Sequence, residues 1–324
     1  MTVAVYGAGG HTGRFVVTEL LRRGLPTVAV TRGGGAVPAE VETRVAATTD
    51  PAALRAAFAG SKVVINCAGP FLDTADALVA AAVNRGCHYL DVTAEAASAG
   101  GTLDRWSAPA AGAGVTVLPA VAFFGGLADL LATAASGAQA DEIRIGIALD
   151  SWHPTAGTRA TGRRNTARRM MIRRGRPEPV PEPAERVGWD FPEPFGRQDV
   201  VEISFSEVAL IPRHLAPAEL HTYLNEDPMA DLRDPHTPAP QPDATGRSPQ
   251  QFVVDAVTRS GSIHRRATAR GRDIYAVTAP LVCEAAQRLL DGAGRPGAFA
   301  VAELLDARTV LKALTPDHLV VDLA

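Results

Sequence analysis

The sequence predicts an α/β protein built on a doubly wound parallel sheet. Three observations lead there. Short apolar runs alternate with helical stretches over the first 123 residues. Those runs are apolar throughout rather than alternating, the pattern of strands covered on both faces. Between the first strand and the first helix sits a glycine cluster, "YGAGGHTGR" (residues 6–14).

The elements follow in order. "VAVY" (residues 3–6) is a β-branched run, and "RFVVTELLRRG" places Phe15, Val16, Leu20 and Leu21 at helical spacing, so the glycines occupy a strand-to-helix turn. Gly7, Gly9, Gly10 and Gly13 permit a sharp turn, close backbone approach to a pyrophosphate and tight packing of helix on strand. Free amides at the helix start, around His11 and Thr12, attract phosphate. "TVAVTR" (27–32) is a second strand ending in Arg32, 19 residues after Gly13, near the place where an acidic residue would hold a ribose 2′-hydroxyl. An arginine there suits a 2′-phosphate, so the expected cofactor is NADP(H). "TRVAA" (43–47), "KVVINCAGPF" (62–71), "HYLDVT" (88–93) and "GVTVLPAV" (114–121) read as strands three to six, the fourth broken by Gly-Pro after Ala68. Ligands bind beyond the carboxyl ends of such strands where their order reverses, so Asn66, Cys67, Ala68, Gly69 and Pro70 are candidate walls for the nicotinamide and its ribose.

Composition narrows the chemistry. The 324 residues are 46% hydrophobic and 21% charged, with no apolar run near the roughly 20 residues that span a bilayer. A net charge of −3 gives no reason to expect nucleic acid or an anionic membrane as partner. Three scattered cysteines without a CxxC suggest neither a disulfide framework nor a metal site, and a start without a basic and apolar leader points to the cytoplasm. Lys62 and Lys312 are the only lysines beside 30 arginines. No tyrosine has a lysine four positions on, and a Schiff-base mechanism has no candidate.

Beyond residue 123, "EIRIGIALD" (142–150) and "VEISFSEV" (201–208) alternate as half-buried strands, and "QFVVDAVTRSGSIHRRATARG" reads as a hairpin turning at Ser260 and Gly261. A second, α+β unit with a mixed or antiparallel sheet is expected there. Two proline-rich stretches, 176–196 and 225–249, read as long cover or surface loops. "TRATGRRNTARRMMIRRGR" carries eight arginines from Arg159 to Arg176 on an expected helix; Arg159 and Arg163 are the candidates to clamp a substrate carboxylate or phosphoryl group. The apolar helices around Leu281–Leu290 and 302–314 are expected to pack on the cofactor domain or a dimer partner. A donor of the proton that accompanies hydride transfer is sought in Glu95, His153 and Tyr223.

Four segments, "VAVYGAGGHTGRFVV", "VVINCAGPF", "AAVNRGCHYLDVTAE" and "GRDIYAVTAPLVCEAAQRLL", resemble the saccharopine dehydrogenase-like reductases, which include saccharopine reductase and trans-acting enoyl reductases. The resemblance implies a Rossmann NADP-binding domain with an α+β domain inserted before a C-terminal return segment. The implied division is 1–123 and 274–324 for dinucleotide binding, with 124–273 for substrate and dimerisation. "HPTAGTRAT" (153–161) looks like that family's Gly-Thr stretch near the substrate, here Gly157 and Thr158. Where many members carry a Gly-Phe-Asp-Ser-x-Pro-x-Asp run, this chain reads "AFFGGLADL", and the lysine used by lysine-forming relatives has no counterpart. The expected function is NADPH-dependent reduction of a C=N, C=C or C=O bond in a small or carrier-linked metabolite by a homodimer. Two alternatives stand beside it: a non-catalytic NADP-binding sensor or partner subunit, and a trans-acting enoyl reductase of a polyketide or lipid pathway.

Overall fold

The computed structural model describes residues 1–136 and 140–323, and two sheets organise them. The first half alternates β1 (Thr2–Tyr6), α1 (His11–Arg22), β2 (Thr27–Thr31), β3 (Glu42–Val45), α2 (Pro51–Ala57), β4 (Ser61–Asn66), α3 (Phe71–Asn84), β5 (His88–Asp91), α4 (Ala96–Gly112) and β6 (Thr116–Leu118). Each start has a local cause where the sequence supplies one. Asp50, for instance, accepts hydrogen bonds from the amides of Ala52 and Ala53 at 3.0 and 2.9 Å with Pro51 at the first helical position, which begins α2.

An irregular helical turn (Phe123–Leu127) leads into α5 (Ala128–Ser136), and β7 (Glu142–Leu149) opens the second unit. There follow α6 (Ala156–Arg164), β8 (Met170–Arg173), β9 (Arg176–Pro179), β10 (Arg186–Asp190), β11 (Arg197–Glu202), α7 (Glu207–Leu210), β12 (Glu219–Asn225), α8 (Glu226–Arg233), β13 (Gln251–Ser260) and β14 (Ile263–Arg272). The chain ends with α9 (Thr278–Arg288), β15 (Gly297–Ala298), α10 (Val301–Leu304), α11 (Ala307–Ala313) and β16 (Val320–Leu323).

The first sheet is parallel in the order β15-β6-β5-β4-β1-β2-β3, so the strand order reverses between β1 and β4. The second sheet runs β10-β11-β12-β7-β13-β14-β16 and is mixed, with β12 parallel to β7 and the other neighbours antiparallel. Between the sheets lies α5, whose alanines and leucines are buried nearly all round, and one continuous apolar core joins Val3 and Val5 through Leu131 to Ile145 and Val254. On the outer face of the second sheet the ring of Trp189 lies directly over Gly146 and donates to Asp255 Oδ2 at 2.8 Å.

Four expectations are corrected. The strand expected over 201–208 leaves the sheet after Glu202, because the Glu207 carboxylate takes the Phe205 amide at 2.7 Å and turns the chain into α7. The stretch 176–196 holds two strands rather than a loop; Pro177 and Pro179 are tolerated because β9 pairs on one side only. The arginine run is helical only to Arg164, since Met171 and Ile172 are drawn into the core and β8 pairs with β12. The segment 274–324 is shared between the sheets. Helix α9 packs on α1, with an Arg23–Glu284 ion pair at 2.7 Å, and β15 joins β6, but β16 pairs with β14 and closes the edge of the second sheet. No helix among the described residues is long and apolar enough to cross a membrane.

Asp129, in the first turn of α5, caps α10 across the core: its Oδ2 accepts the Ala302 amide at 3.0 Å while Oδ1 lies 3.4 Å from His214 Nε2. Burial pushes this carboxyl up to about 7 and the His214 imidazole down to about 4, so both prefer to be neutral. Below about pH 4 the folded and unfolded chains both hold the Asp129 proton; as pH rises from there the unfolded chain ionises first and the fold loses stability until the folded carboxyl also ionises. Asp129→Asn, which keeps an acceptor for Ala302, is therefore expected to raise the urea midpoint at about pH 8 and to leave it unchanged at about pH 4. Urea titrations across that range check it.

Candidate functional site

At the switch between β1 and β4, the backbone of the glycine turn comes against other backbone. Gly7 has φ +79°, the left-handed region that favours glycine. A Cβ on Gly13 would run into the Gly7 carbonyl, and one on Gly9 would lie 2.7 Å from Gly35 Cα in the loop after β2. The α1 start has Gly10 at its N-cap position, with no side-chain cap and no acidic residue in the first turn. Its leading amides are therefore left for a ligand, and the helix dipole adds positive potential there. A dinucleotide pyrophosphate fits this cradle by shape and charge.

The turn opens into a cleft of about 1160 Å³ that runs from Arg32 past the β4 loop to the second unit. Gly7, Gly9, Gly10, His11, Thr12, Arg32, Cys67, Ala68 and Gly69 line it. Gly13 lies below, packed on Gly7 and Ala8. Asn66 is wholly buried and shapes the loop from underneath: its Oδ1 accepts the Ala68 amide at 2.9 Å and its amide donates to Tyr89 Oη at 3.1 Å. Pro70 is the N-cap residue of α3 and not part of the lining. Arg32 is exposed at the end of β2 and pairs with no carboxylate among the described residues.

The second unit supplies the facing wall. Thr155 caps α6 by accepting the Thr158 amide at 3.0 Å, and Gly157, Thr158, Arg159 and Arg163 all line the cleft. Helix α6 buries none of its residues; it is held across the opening by an Arg164–Asp73 ion pair at 2.8 Å and by Thr161 seated over Gly69.

Of the three candidate proton donors, only Glu95 lines the cleft. Its Oε1 accepts the Phe71 amide at 2.7 Å, so it caps α3 rather than the helix it precedes; Oε2 is buried without a partner among the described residues. Burial raises its pKa, and the Phe71 and Leu72 amides oppose that. His153 lies outside the lining, with Nδ1 3.3 Å from the Pro238 carbonyl. Tyr223 is corrected more sharply. It sits on the outer face of the second sheet, packed beside Trp189 and donating to Glu185 Oε2 at 3.1 Å, because the alternation of β12 points it away from the cleft.

Sequence reasoning missed Tyr275. Its hydroxyl meets Thr158 Oγ1 at 2.9 Å and accepts from Trp152 Nε1 at 3.2 Å, and its ring stands edge-on to His11 at 5.2 Å. It therefore joins the glycine turn to the α6 wall. Asp273 sets it there, accepting the amides of Tyr275 at 3.1 Å and Ala276 at 3.0 Å. The only sequence signal was the late "GRDIYAVT", which says nothing by itself about which side chain faces inward.

Residues 7–115 match a family model described as NAD(P)H-binding. Over 114 residues the chain is 30% identical to a probable mitochondrial saccharopine dehydrogenase-like oxidoreductase of Arabidopsis thaliana, a match covering 29% of this chain and 25% of that protein. The match thus spans about a quarter of that relative's length. The fold is shared with the apo saccharopine dehydrogenase (L-Glu forming) of Saccharomyces cerevisiae at a TM-score of 0.65 and 13% identity, covering 100% of this chain and 99% of that one. The chain carries an NAD(P)-binding domain in a saccharopine dehydrogenase-like fold.

The Gly9–Gly35 contact leaves no room for a methyl group. Gly9→Ala is expected to push the 33–35 loop off the turn and weaken dinucleotide binding about tenfold, within the cost of overpacking a tight site. Calorimetric titration with NADPH, with a melting curve as the folding control, checks it.

Proposed function

We propose that this chain is an NADP(H)-dependent oxidoreductase that reduces a C=N, C=C or C=O bond of a small or carrier-linked molecule. One observation carries the reading: a single cleft joins the uncapped helix start to a second half walled by α6 and the 203–205 segment, without a partition. Its volume of about 1160 Å³ exceeds the roughly 300–1,000 Å³ of a pocket for one small ligand. A protein that only sensed the dinucleotide would have no use for the second half.

When bound, the cofactor supplies the hydride. The chain's part is to hold, orient and protonate. The free amides at the start of α1, around His11 and Thr12, would grip the pyrophosphate, and Arg32, without an acidic partner among the described residues, would meet the 2′-phosphate. The 67–69 loop borders the nicotinamide side, while Arg159 and Arg163 face the substrate from α6. Glu95 is the donor of the proton. Held neutral to higher pH by burial, it keeps its proton where a free carboxyl would have lost it. The apolar floor of the second half favours, as a second reading, C=C reduction of a carrier-linked acyl group by a trans-acting enoyl reductase.

Two outcomes test this. The thermal shift with NADPH is expected to exceed that with NADH, and Arg32→Ala to erase most of that preference, about tenfold in affinity for one charge-assisted contact. No shift with either nucleotide would sink the reading. Glu95→Gln is expected to lower kcat about a hundredfold with NADPH binding unchanged, and to remove the fall in rate as pH rises through the raised Glu95 pKa. Rate–pH profiles of the two proteins decide it.

A further inference from the structure

Among the described residues, the charged side chains lining the cleft are five arginines, Arg32, Arg159, Arg163, Arg169 and Arg233, against Glu95 alone. Arg32 belongs to the cofactor end. The other four differ in what they already hold. Arg163 and Arg233 are exposed and have no hydrogen-bond or ion-pair partner among the described residues to fix them, so water and salt screen them. Arg159 spends one guanidinium nitrogen on the carbonyls of Thr237 at 2.7 Å and Asp234 at 3.1 Å.

Arg169 is placed otherwise. It precedes β8, donates from one nitrogen to the Ser204 carbonyl at 2.7 Å, and lays its guanidinium over the Phe205 ring at 5.2 Å. Those two contacts fix the planar fork, and its remaining donors have no protein partner among the described residues. Glu207 lies near enough to attract it but is fully buried, with Oε1 on the Phe205 amide, and no carboxylate comes within ion-pair distance of Arg169 among the described residues. The cleft walls around it pull the guanidinium below its ordinary value by partial desolvation, although the side chain stays exposed to the cleft.

The surface beside Arg169 is apolar. Phe124 stacks between Phe205 at 4.0 Å and Trp152 at 5.2 Å, and Ile203, Met229 and Leu232 continue the lining. A fixed cation at the edge of a hydrocarbon floor selects against two kinds of molecule. A polar dianion would strand its second charge on that floor, and a neutral apolar molecule seated over the guanidinium would strip its water without pairing it.

We propose that the second half of the cleft takes an amphipathic monoanion, its carboxylate paired with Arg169 and its acyl or aryl body on the floor formed by Phe124, Trp152 and Ile203. The proposal rests on the reductase reading for what occupies the other half. The exposed Arg163 and Arg233 steer the acid inward without being its final partners.

Calorimetric titrations of the full chain, saturated with NADPH, use trans-cinnamate, cinnamyl alcohol and glutamate as probes. Cinnamate is expected to bind about tenfold more tightly than cinnamyl alcohol, the effect of one charge-assisted pair, and more tightly than glutamate. Arg169→Gln is expected to abolish the preference for acid over alcohol while leaving NADPH binding as in the parent. Arg169→Lys, which keeps charge without the fork, is expected to retain part of it. Equal binding of acid and alcohol, tighter binding of glutamate than cinnamate, or a preference that survives Arg169→Gln would overturn the proposal, and the comparison of probes on the parent chain stands even where a variant fails to fold. Loss of NADPH binding by the parent chain sinks the reductase reading. Intact NADPH binding with the wrong order of probes sinks this proposal alone.

Discussion

Backbone against backbone, with no side chain between, is the constraint on which the rest of this molecule depends. The turn after β1 closes only because Gly13 can sit on the Gly7 carbonyl and Gly9 can touch Gly35. Those contacts draw the start of α1 down to the end of β1 and leave its leading amides pointing into a cleft instead of into protein. The loop after β2 is held by the same contact, which brings Arg32 to the far end of that cleft. A side chain at Gly9 or Gly13 would wedge these parts asunder, and the site would lose its shape before it lost any chemical group.

A second theme is the carboxylate that caps an element other than its own. Asp91 Oδ1 accepts the amides of Thr93 and Ala120 and so ties the ends of β5 and β6 together under the cleft. Glu95 caps α3, Asp129 caps α10, and Asp273 braces the turn that carries Tyr275. All four are nearly or wholly buried. Each satisfies amides that would otherwise be stranded in the core, and each links segments distant in the chain. The cost is desolvation, which raises the pKa of Asp91, Glu95 and Asp129 alike. The arrangement that fixes the scaffold thereby creates carboxyls that keep their protons to higher pH than free ones do, and one of them, Glu95, borders the cleft.

The two sheets meet through α5, and that packing explains why the cleft is shared. Buried nearly all round, α5 packs against β13 and β14 of the second sheet within the core that also holds Val3 and Val5 of β1, so the two sheets share one core and α6 and the 203–205 segment come to face the glycine turn. Tyr275 and the Arg164–Asp73 pair then hold that wall in place from opposite ends. The second half of the cleft owes its apolar floor to residues already needed in the common core, Phe124, Trp152 and Phe205.

By itself the sequence determined what depends on near neighbours. The strand, glycine turn and helix at residues 2–22, the alternating order to β6, the strand β7, though buried on both faces rather than one, and the β13–β14 hairpin were legible, because each rests on periodicity or on a conformation only glycine tolerates. That Gly9 and Arg32 lie together on that local frame, at the edge of the cleft, was legible for the same reason. Only the tertiary structure decided the rest. That Tyr223 faces outward, that β9 and β10 are strands, that Glu95 and Asp129 cap other helices, and that Tyr275 and Arg169 enter the cleft depend on which elements end up side by side. The reason is physical: a side chain's direction is set by its own backbone, but its partner, its burial and hence its pKa are set by segments up to hundreds of residues away.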